Sequence, residues 1–390
     1  MNQRMVAHAV LACVAAVVSV QANRAAGQEA NARTTASPLS DAILRSPYVW
    51  KTLTGTEAAP VIEAAMPGAY LRATVGKTSA IGLVVDGSGN AGCPADSMPV
   101  IEYSVDEQPF KIVPLTKHDA RYVLPLAEGL DASRPHRVEV VFRAADLTAQ
   151  RWTFPKTRLR IAGLELDLGG ELLPTAARPK RAIGFGDSIT EGVGVDGLFT
   201  SWQSLGVNSA RTAWFPIVAM ALDCEYGQLG SGGQGMVRGL ELPPLPETWS
   251  RFDSEASRLT GGRLDPQPDY IFCAMGTNDF EKNISETYAA WLRDVRGACP
   301  TSQIFCVIPP LGVHDQEIRD AVAERRAAGD ERVHVVETAA LAPLFRAGQG
   351  ATQLAADGVH PTLEGQGRLA ALIAVAVAKA TGEEPARGVK

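Results

Sequence analysis

The second half of the sequence alternates short apolar runs with longer amphipathic stretches, and this alternation constrains the fold more than any other feature of the chain. The short runs begin at Ala182, Glu225, Tyr270, Gln303 and Val333, and stretches long enough for a helix lie between or after most of them. Buried strands separated by such helices form a parallel sheet that is covered on both faces. The sequence therefore predicts an α/β domain with a parallel sheet between two helical layers over residues 181–382.

Residues 45–172 follow a different pattern. In the stretches IEYSVD, HRVEVVFR and GLELDLGG, apolar and polar residues alternate, with Val138, Val140 and Phe142 sharing one face. A period of two residues, interrupted by Gly, Pro and Asp, is typical of antiparallel strands with one face buried. Several such strands in about 120 residues predict a β-sandwich, jelly-roll-like in form, ahead of the α/β domain.

The N-terminus is unlike either part. One early arginine precedes the apolar run AVLACVAAVVSVQA, which is too short to span a bilayer comfortably, and a polar stretch of small residues follows. This arrangement is typical of a signal peptide, with cleavage after Ala22 or Gly27. We therefore expect a signal peptide over residues 1–27, a linker over 28–44, and an exported protein without an integral membrane span after cleavage.

Charge and cysteine content limit the binding partners, metal sites and disulfides that the sequence predicts. A net charge of −6 gives no electrostatic basis for binding nucleic acid or anionic lipid, so neither is expected as a partner. Five cysteines remain once Cys13 is removed, and they lack paired C-x-x-C spacing, so we do not expect a zinc cluster. Buried thiols are favoured over a disulfide, although Cys306 could pair with Cys299 or Cys273.

Polar residues with catalytic chemistry follow the predicted strands. Ser188 stands in GFGDSITEG after the first run, and LGSGGQG follows the second at residues 229–235. Asn278 lies in GTND after the third run, and Asp357 and His360 lie in DGVH before the last helix. Ligands bind at the carboxyl ends of the strands in sheets of this kind, so we expect these residues to converge there.

Each of these residue types has a role in nucleophilic catalysis. A serine at a strand-to-helix turn exposes its hydroxyl, and His360 could accept the proton of Ser188 while Asp357 fixes the imidazole tautomer. Glycine N–H groups and the Asn278 amide could bind a developing negative charge. Each motif alone also fits an ordinary turn or cap, but their order along the chain favours a catalytic site.

These motifs resemble the SGNH hydrolase superfamily, also called GDSL-type esterases and lipases. The resemblance covers the segment from about residue 181 to 380 and implies a flavodoxin-like fold. GDSIT is similar to the first family block and implies Ser188 as nucleophile; DGVH is similar to the last and implies His360 as base with Asp357 as its partner. The resemblance implies ester hydrolysis through an acyl-enzyme, without a metal or cofactor.

The same resemblance implies an oxyanion hole. Its donors would be the Ser188 N–H, the Asn278 side chain from GTND, and a glycine N–H from GSGGQG, for which Gly233 is preferred and Gly230 is the alternative. We expect structural roles for the two neighbouring acids: Asp187 as a hydrogen-bonding residue, and Asp279 as a residue that caps or shapes its turn.

The order of a β-sandwich followed by an SGNH domain, in an exported chain, is similar to carbohydrate esterase family two. The resemblance implies removal of O-acyl groups, acetyl in particular, from polysaccharide. The stretch PPLPETW could bring Trp249 near the site to stack on a sugar ring, the alternative being a core or lid tryptophan.

Two other functions use the same residues. They are an esterase or lysophospholipase that acts on acyl chains, and an O-acyltransferase. The β-sandwich could bind glycan or support the hydrolase domain, and support is the interpretation we favour.

Overall fold

The computed structural model describes residues 32–53, 60–201, 205–343 and 357–383. The signal peptide predicted over residues 1–27 lies outside these ranges, so it stays a prediction. Within the described ranges, no helix combines the length and the apolar character needed to cross a membrane.

The N-terminal part consists of antiparallel strands. Their bounds are β1 (Arg33–Ala36), β2 (Ile43–Arg45), β3 (Lys51–Leu53), β4 (Val61–Ala64), β5 (Tyr70–Gly76), β6 (Ala80–Val85), β7 (Val100–Val105), β8 (Lys111–Pro114), β9 (Tyr122–Glu128), β10 (His136–Ala144), β11 (Leu159–Asp167) and β12 (Glu171–Leu173). One sheet has the order β3-β4-β11-β6-β9 with β1 also paired to β11, and the other has the order β12-β5-β10-β7-β8 with β2 paired to β5. The predicted antiparallel β-sandwich is confirmed.

Residue alternation places the sandwich core between the two sheets. Val138, Val140 and Phe142 of β10 pack in one apolar cluster with Leu83 of β6 and Leu164 of β11, which belong to the opposite sheet. The residues between them on β10 face away from this core, as the period of two requires. The face predicted from the sequence is therefore the buried one.

The predicted linker over residues 28–44 is wrong where the structure describes it. Arg33–Ala36 forms a strand antiparallel to β11, and Ile43 begins a strand paired with β5. Both strands are only three or four residues long and add to larger sheets, so their pairing comes from distant partners rather than from a local sequence pattern. The sandwich therefore begins ahead of the predicted boundary at residue 45.

The C-terminal part alternates strands and helices. Its elements are β13 (Lys180–Gly186), α1 (Ser188–Glu191), α2 (Trp214–Ala221), β14 (Cys224–Gly230), α3 (Leu245–Thr248), β15 (Tyr270–Ala274), α4 (Ser285–Ala298), β16 (Gln303–Val307), α5 (Asp315–Ala327), β17 (Val333–Val336) and α6 (Leu363–Thr381). The strands are parallel in the order β14-β13-β15-β16-β17. This is the flavodoxin-like order, and the predicted α/β/α layering is confirmed.

Alternate residues of these strands pack against different helical layers. Ile271 and Cys273 join Trp291 of α4 on one face, whereas Phe272 joins Trp214 of α2 on the other. Helix α5 packs beside α4, and α6 packs beside α2. Both faces are apolar because both are covered, which explains the continuous apolar runs in the sequence.

The outer face of the second sandwich sheet contacts the parallel sheet. Tyr70 of β5 packs against Tyr226 of β14 with ring centroids 4.8 Å apart, and its hydroxyl donates to the carboxylate of Glu225. Arg72, two residues further along β5, forms an ion pair with the same Glu225. These contacts lie at the start of β14, away from the carboxyl ends of the parallel strands.

The five cysteines in the described ranges are free and buried. Burial raises the pKa of Cys224 and Cys306 to about 12, which keeps both thiols protonated and unreactive near neutral pH. The structure therefore agrees with buried thiols rather than with either disulfide considered from the sequence.

Candidate active site

Three parallel strands end at the same level of the sheet. Gly186, the last residue of β13, is in register with Gly230 of β14 and with Ala274 of β15. The segments that follow these strands therefore start side by side, at the edge where such sheets bind ligands. Ser188, Gly233 and Asn278 are all in these segments.

Ser188, His360 and Asp357 form one hydrogen-bonded chain. The Nε2 atom of His360 lies 2.8 Å from the Oγ atom of Ser188, and Nδ1 lies 2.6 Å from Oδ2 of Asp357. Ser188 is 6% exposed, so the residue is almost entirely shielded from solvent. The structure thus brings together the three residues that the sequence places in the triad.

Asp357 is held in its charged form. Burial by itself raises the pKa of this carboxyl, but the hydrogen bond and charge of His360, with the backbone N–H groups of Val359 and His360, lower it to about 2. Those two N–H groups donate to Oδ1 at 2.9 and 2.7 Å, which leaves Oδ2 for the imidazole. An ionised partner in this position orients the ring and stabilises an imidazolium.

Ser188 is the first residue of helix α1. Asp187 caps the helix, its Oδ1 accepting the Ile189 N–H at 2.9 Å, as expected for a structural hydrogen-bonding residue. Burial raises the pKa of Asp187 to about 6, although the Ile189 hydrogen bond acts to lower it. The Ser188 N–H belongs to the first turn, where amides have no intrahelical acceptor.

Gly233 lies in the loop after β14 (residues 231–238), which we call the oxyanion loop after the role that the sequence predicts for Gly233. The N–H groups on either side are occupied: Gly232 donates to Glu191 at 2.7 Å and Gln234 to the Ser231 carbonyl at 3.2 Å. Gly233 itself adopts a φ of 74°, which favours glycine. Among the described residues its N–H has no acceptor.

Gly230, the alternative donor, has a different position. It is the last residue of β14 and pairs in register with Gly186, so it belongs to the sheet ladder rather than to the loop. The geometry therefore favours Gly233 over Gly230 as the candidate donor.

Asn278 is oriented by the oxyanion loop. Its Nδ2 atom donates to the carbonyl of Gln234 at 3.0 Å. An amide nitrogen carries two hydrogens, and this bond uses one of them, which leaves the second for a ligand.

Asp279 fixes the backbone of the same loop. Its buried carboxylate accepts the N–H groups of Met236, Val237 and Arg238 at 2.8, 2.9 and 3.2 Å. Three backbone donors on one carboxylate shape the turn, in agreement with the structural role expected from the sequence.

Trp249 does not lie on the surface of the site. It is 6% exposed and packs edge-on against Phe185, with ring centroids 6.4 Å apart, inside the main apolar core. So little exposed area cannot carry a stacked sugar ring, and the prediction that Trp249 binds substrate is wrong in this conformation. The segment folds inward because Leu245 and Trp249 share one face of the turn α3.

Sequence reasoning missed two residues near the triad. Phe199 contacts His360 edge-on, with ring centroids 5.1 Å apart, and it lies in none of the motifs recognised in the sequence. Glu191, at the end of α1, accepts the Gly232 N–H and is buried. A signal for Glu191 existed, since an acid follows Ser188 by three residues within GDSITEG.

Residues 185–368 match the GDSL-like lipase/acylhydrolase family. This part of the chain is therefore a GDSL-like lipase/acylhydrolase domain, as the motifs predict.

Relatives with known functions or structures extend the comparison. The chain is 27% identical over 186 residues to an acetylxylan esterase/glucomannan deacetylase from Cellvibrio japonicus; the match covers 44% of this chain and 49% of the relative, so it spans about half the length of that curated protein. A family two carbohydrate esterase structure from Cellvibrio japonicus has a TM-score of 0.70 and 19% identity, covering 90% of this chain and 98% of its own.

Two further solved structures agree in fold. An acetyl xylan esterase, Est2A, from Butyrivibrio proteoclasticus has a TM-score of 0.69 and 17% identity, covering 90% of this chain and 99% of its own. A family two carbohydrate esterase from Clostridium thermocellum, in complex with cellohexaose, has a TM-score of 0.67 and 17% identity, covering 87% and 99%. The fold of sandwich plus SGNH domain is therefore that of the family two carbohydrate esterases, and the resemblance seen in the sequence is confirmed.

Proposed function

We propose that this protein is an exported serine esterase that removes O-acyl groups, acetyl in particular, from carbohydrate. The observation that carries the proposal is the hydrogen-bonded chain from Ser188 through His360 to Asp357, with distances of 2.8 and 2.6 Å. A nucleophile, a base and an orienting carboxylate in this order are the requirement for acyl transfer through serine.

In the first step, the Oγ atom of Ser188 forms a bond to the ester carbonyl carbon while Nε2 of His360 takes the hydroxyl proton. The imidazolium is stabilised by the ionised Asp357. When the tetrahedral intermediate collapses, the bond to the sugar oxygen breaks and His360 returns the proton to that oxygen. The products are the free sugar hydroxyl and an acetyl ester on Ser188.

The negative charge on the former carbonyl oxygen needs donors already in place. We assign this role to the N–H groups of Ser188 and Gly233 and to the free N–H of Asn278. The support is that Asn278 is anchored by Gln234 and that the Gly233 N–H has no acceptor within the described part of the chain. Preorganised donors of this kind contribute most when their orientation is fixed before the reaction.

In the second step, His360 removes a proton from a water molecule, whose oxygen attacks the acetyl carbonyl. The bond to Ser188 breaks, the proton returns to Oγ, and acetate leaves. The catalytic groups in both steps are side chains and backbone N–H groups of this chain, and water is the second substrate.

The choice of an acetyl ester on carbohydrate is supported by the comparisons. The curated relative is described as an acetylxylan esterase/glucomannan deacetylase, and the structural relatives share the sandwich together with the hydrolase domain. Export is supported by the N-terminal sequence pattern of residues 1–27.

The test is acetate release from acetylated xylan, together with hydrolysis of p-nitrophenyl acetate and octanoate, by wild type and by Ser188→Ala. The proposal predicts acetate release, preference for the short ester, and loss of both in the variant. A preference for octanoate would indicate an esterase for acyl chains, and acetyl transfer to an added sugar in place of hydrolysis would indicate an acyltransferase. Unchanged activity in Ser188→Ala would show that Ser188 is not the nucleophile and would overturn the whole mechanism.

A further inference from the structure

An arginine from the β-sandwich part of the chain reaches the active-site side of the hydrolase domain. Arg151 lies in the segment between β10 and β11 and is 1% exposed. Its Nη2 atom donates to the carbonyl of Asp146 at 3.0 Å within its own segment. Its Nη1 atom lies 2.8 Å from Oε1 of Glu191, a residue of the hydrolase domain.

Glu191 connects this arginine to the oxyanion loop. It is the last residue of α1, the helix that begins with Ser188, and it is 2% exposed. While Oε1 faces Arg151, Oε2 accepts the Gly232 N–H at 2.7 Å. The Gly232 N–H belongs to the peptide unit directly before the one that carries the Gly233 N–H, so one carboxylate ties the nucleophile's helix to the loop that presents the Gly233 N–H.

A second residue of the β-sandwich part, Leu147, contacts the oxyanion loop at Gly232. A Cβ atom at Gly232 would lie 2.9 Å from Cδ2 of Leu147, so this side chain packs directly on the loop backbone. Leu147 is buried and belongs to the same segment as Arg151. The segment between β10 and β11 therefore contacts the oxyanion loop through both a charge and an apolar side chain.

We propose that Arg151 is a positioning residue for the oxyanion hole: through Glu191 it holds the Gly232 N–H, and with it the backbone that leads to the Gly233 N–H, in place relative to Ser188. The inference rests on the proposed function. It gives the β-sandwich a role in the reaction, because the sandwich supplies the residue that keeps a catalytic donor in position.

The electrostatics of the pair agree with this role. Burial raises the pKa of Glu191, while the charge of Arg151 and the hydrogen bond from the Gly232 N–H act in the opposite direction. Removal of one partner from a buried pair leaves an uncompensated charge, which then takes a proton or moves toward water. Either response weakens the acceptor for the Gly232 N–H and lets the loop shift.

The test compares Arg151→Met with Arg72→Met. Arg72 also joins the sandwich to the hydrolase domain by an ion pair with a glutamate, but Glu225 lies at the opposite end of β14. We expect Arg151→Met to lower kcat for p-nitrophenyl acetate about 10- to 100-fold with KM within about 2-fold, because misplaced donors affect the transition state most. Arg72→Met is expected to keep kcat within about 2-fold of wild type.

A double-mutant cycle tests whether Arg151 acts through Glu191. Glu191→Gln alone should lower kcat about 10-fold, and the double variant should be no slower than Arg151→Met, because both changes break the same link. Additive losses would overturn the proposal. A kcat for Arg151→Met within 2-fold of wild type would also overturn the proposal, and so would an equal loss of kcat in Arg72→Met.

A replacement variant and an activity control cover the cases in which Arg151→Met does not fold or the wild type is inactive. If Arg151→Met does not fold, the double variant of Arg151→Met and Glu191→Gln replaces it, because that variant has no unpaired buried charge. A kcat of the double variant at least 10-fold below wild type supports the proposal. A kcat equal to that of wild type overturns the proposal. Ser188→Ala is measured in the same assay. A wild type without esterase activity overturns the proposed function and this inference together, whereas an active wild type with an unaffected Arg151→Met overturns the inference alone.

Discussion

The imidazole of His360 lies 2.8 Å from the hydroxyl of Ser188, although 172 positions separate the two residues in the sequence. The parallel sheet makes this contact possible, because Ser188 lies two residues after the end of β13 and His360 lies three residues before the helix α6, which packs back beside α2. Asp357 comes with His360 as a local turn. Four predictions follow from this arrangement and the loops around it.

Asp357→Asn should lower kcat about 10²- to 10⁴-fold while the protein stays folded. The asparagine carbonyl oxygen still accepts the backbone N–H groups of Val359 and His360, so the turn is kept, but the charge that stabilises the imidazolium is lost. Steady-state kinetics on p-nitrophenyl acetate measures the effect. Asp330→Asn, at an acid paired with Arg296 away from the site, is the control and should leave kcat unchanged; a loss below 10-fold in Asp357→Asn would show that His360 works without its partner.

Asn278→Ala should lower kcat about 10²- to 10³-fold with little change in KM, which is the cost of removing one donor to the oxyanion. Asn283→Ala is a matched control five residues later, since Asn283 is exposed and its side chain accepts the Ser285 N–H at 2.9 Å. The comparison needs kcat and KM for both variants. Equal activities of the two would contradict the role assigned to Asn278.

Gly235→Ala should reduce both stability and kcat. A Cβ atom at Gly235 would lie 2.3 Å from Oδ1 of Asp279, so the carboxylate that holds the oxyanion loop would have to move. We expect a cost of about 1–3 kcal/mol in the free energy of unfolding, as for overpacking of a filled site. Chemical denaturation and kinetics measure the two effects.

Gly297→Ala is the control for that substitution. Gly297 lies in α4, where an added Cβ would have no neighbour within 4 Å, so the change should be neutral or stabilise by up to about 1 kcal/mol through helix propensity. If both alanine variants behave alike, the packing argument for Gly235 is incorrect.

Asp187→Asn should stabilise the protein more at pH 8 than at pH 4. The folded-state pKa of Asp187 is raised by burial to about 6, from a reference value of 3.8. Between these values the unfolded chain loses its proton before the folded protein does, so wild type loses stability as pH rises through this window. A shift of this size corresponds to on the order of 3 kcal/mol.

Asparagine can still accept the Ile189 N–H and does not titrate, so the variant lacks this loss. Denaturation midpoints at pH 4 and pH 8 give the measurement. A stability difference between variant and wild type that does not change with pH would show that Asp187 has an ordinary pKa.

Much of the candidate site could be predicted from the sequence because its chemistry is carried by short local motifs. Ser188 after a strand, Asn278 in GTND, and Asp357 three residues before His360 are recognisable since each motif forms its own turn, and the alternation of strand and helix patterns says at which edge the turns meet. The preference for Gly233 over Gly230 rested on family resemblance, and the backbone hydrogen bonds now support it.

Other features depended on partners that are distant in the sequence. The strand at Arg33–Ala36 exists because β11 offers an edge more than 100 residues later, Trp249 is buried because Phe185 and the core accept it, and Arg151 meets Glu191 only where the two domains pack. The sequence by itself determined which residues can carry out the chemistry and which segments are strands or helices, since periodicity and turn chemistry are local. Only the tertiary structure decided which side chains are buried and which support the catalytic loop, because burial and ion pairing depend on surfaces that come together when the whole chain folds.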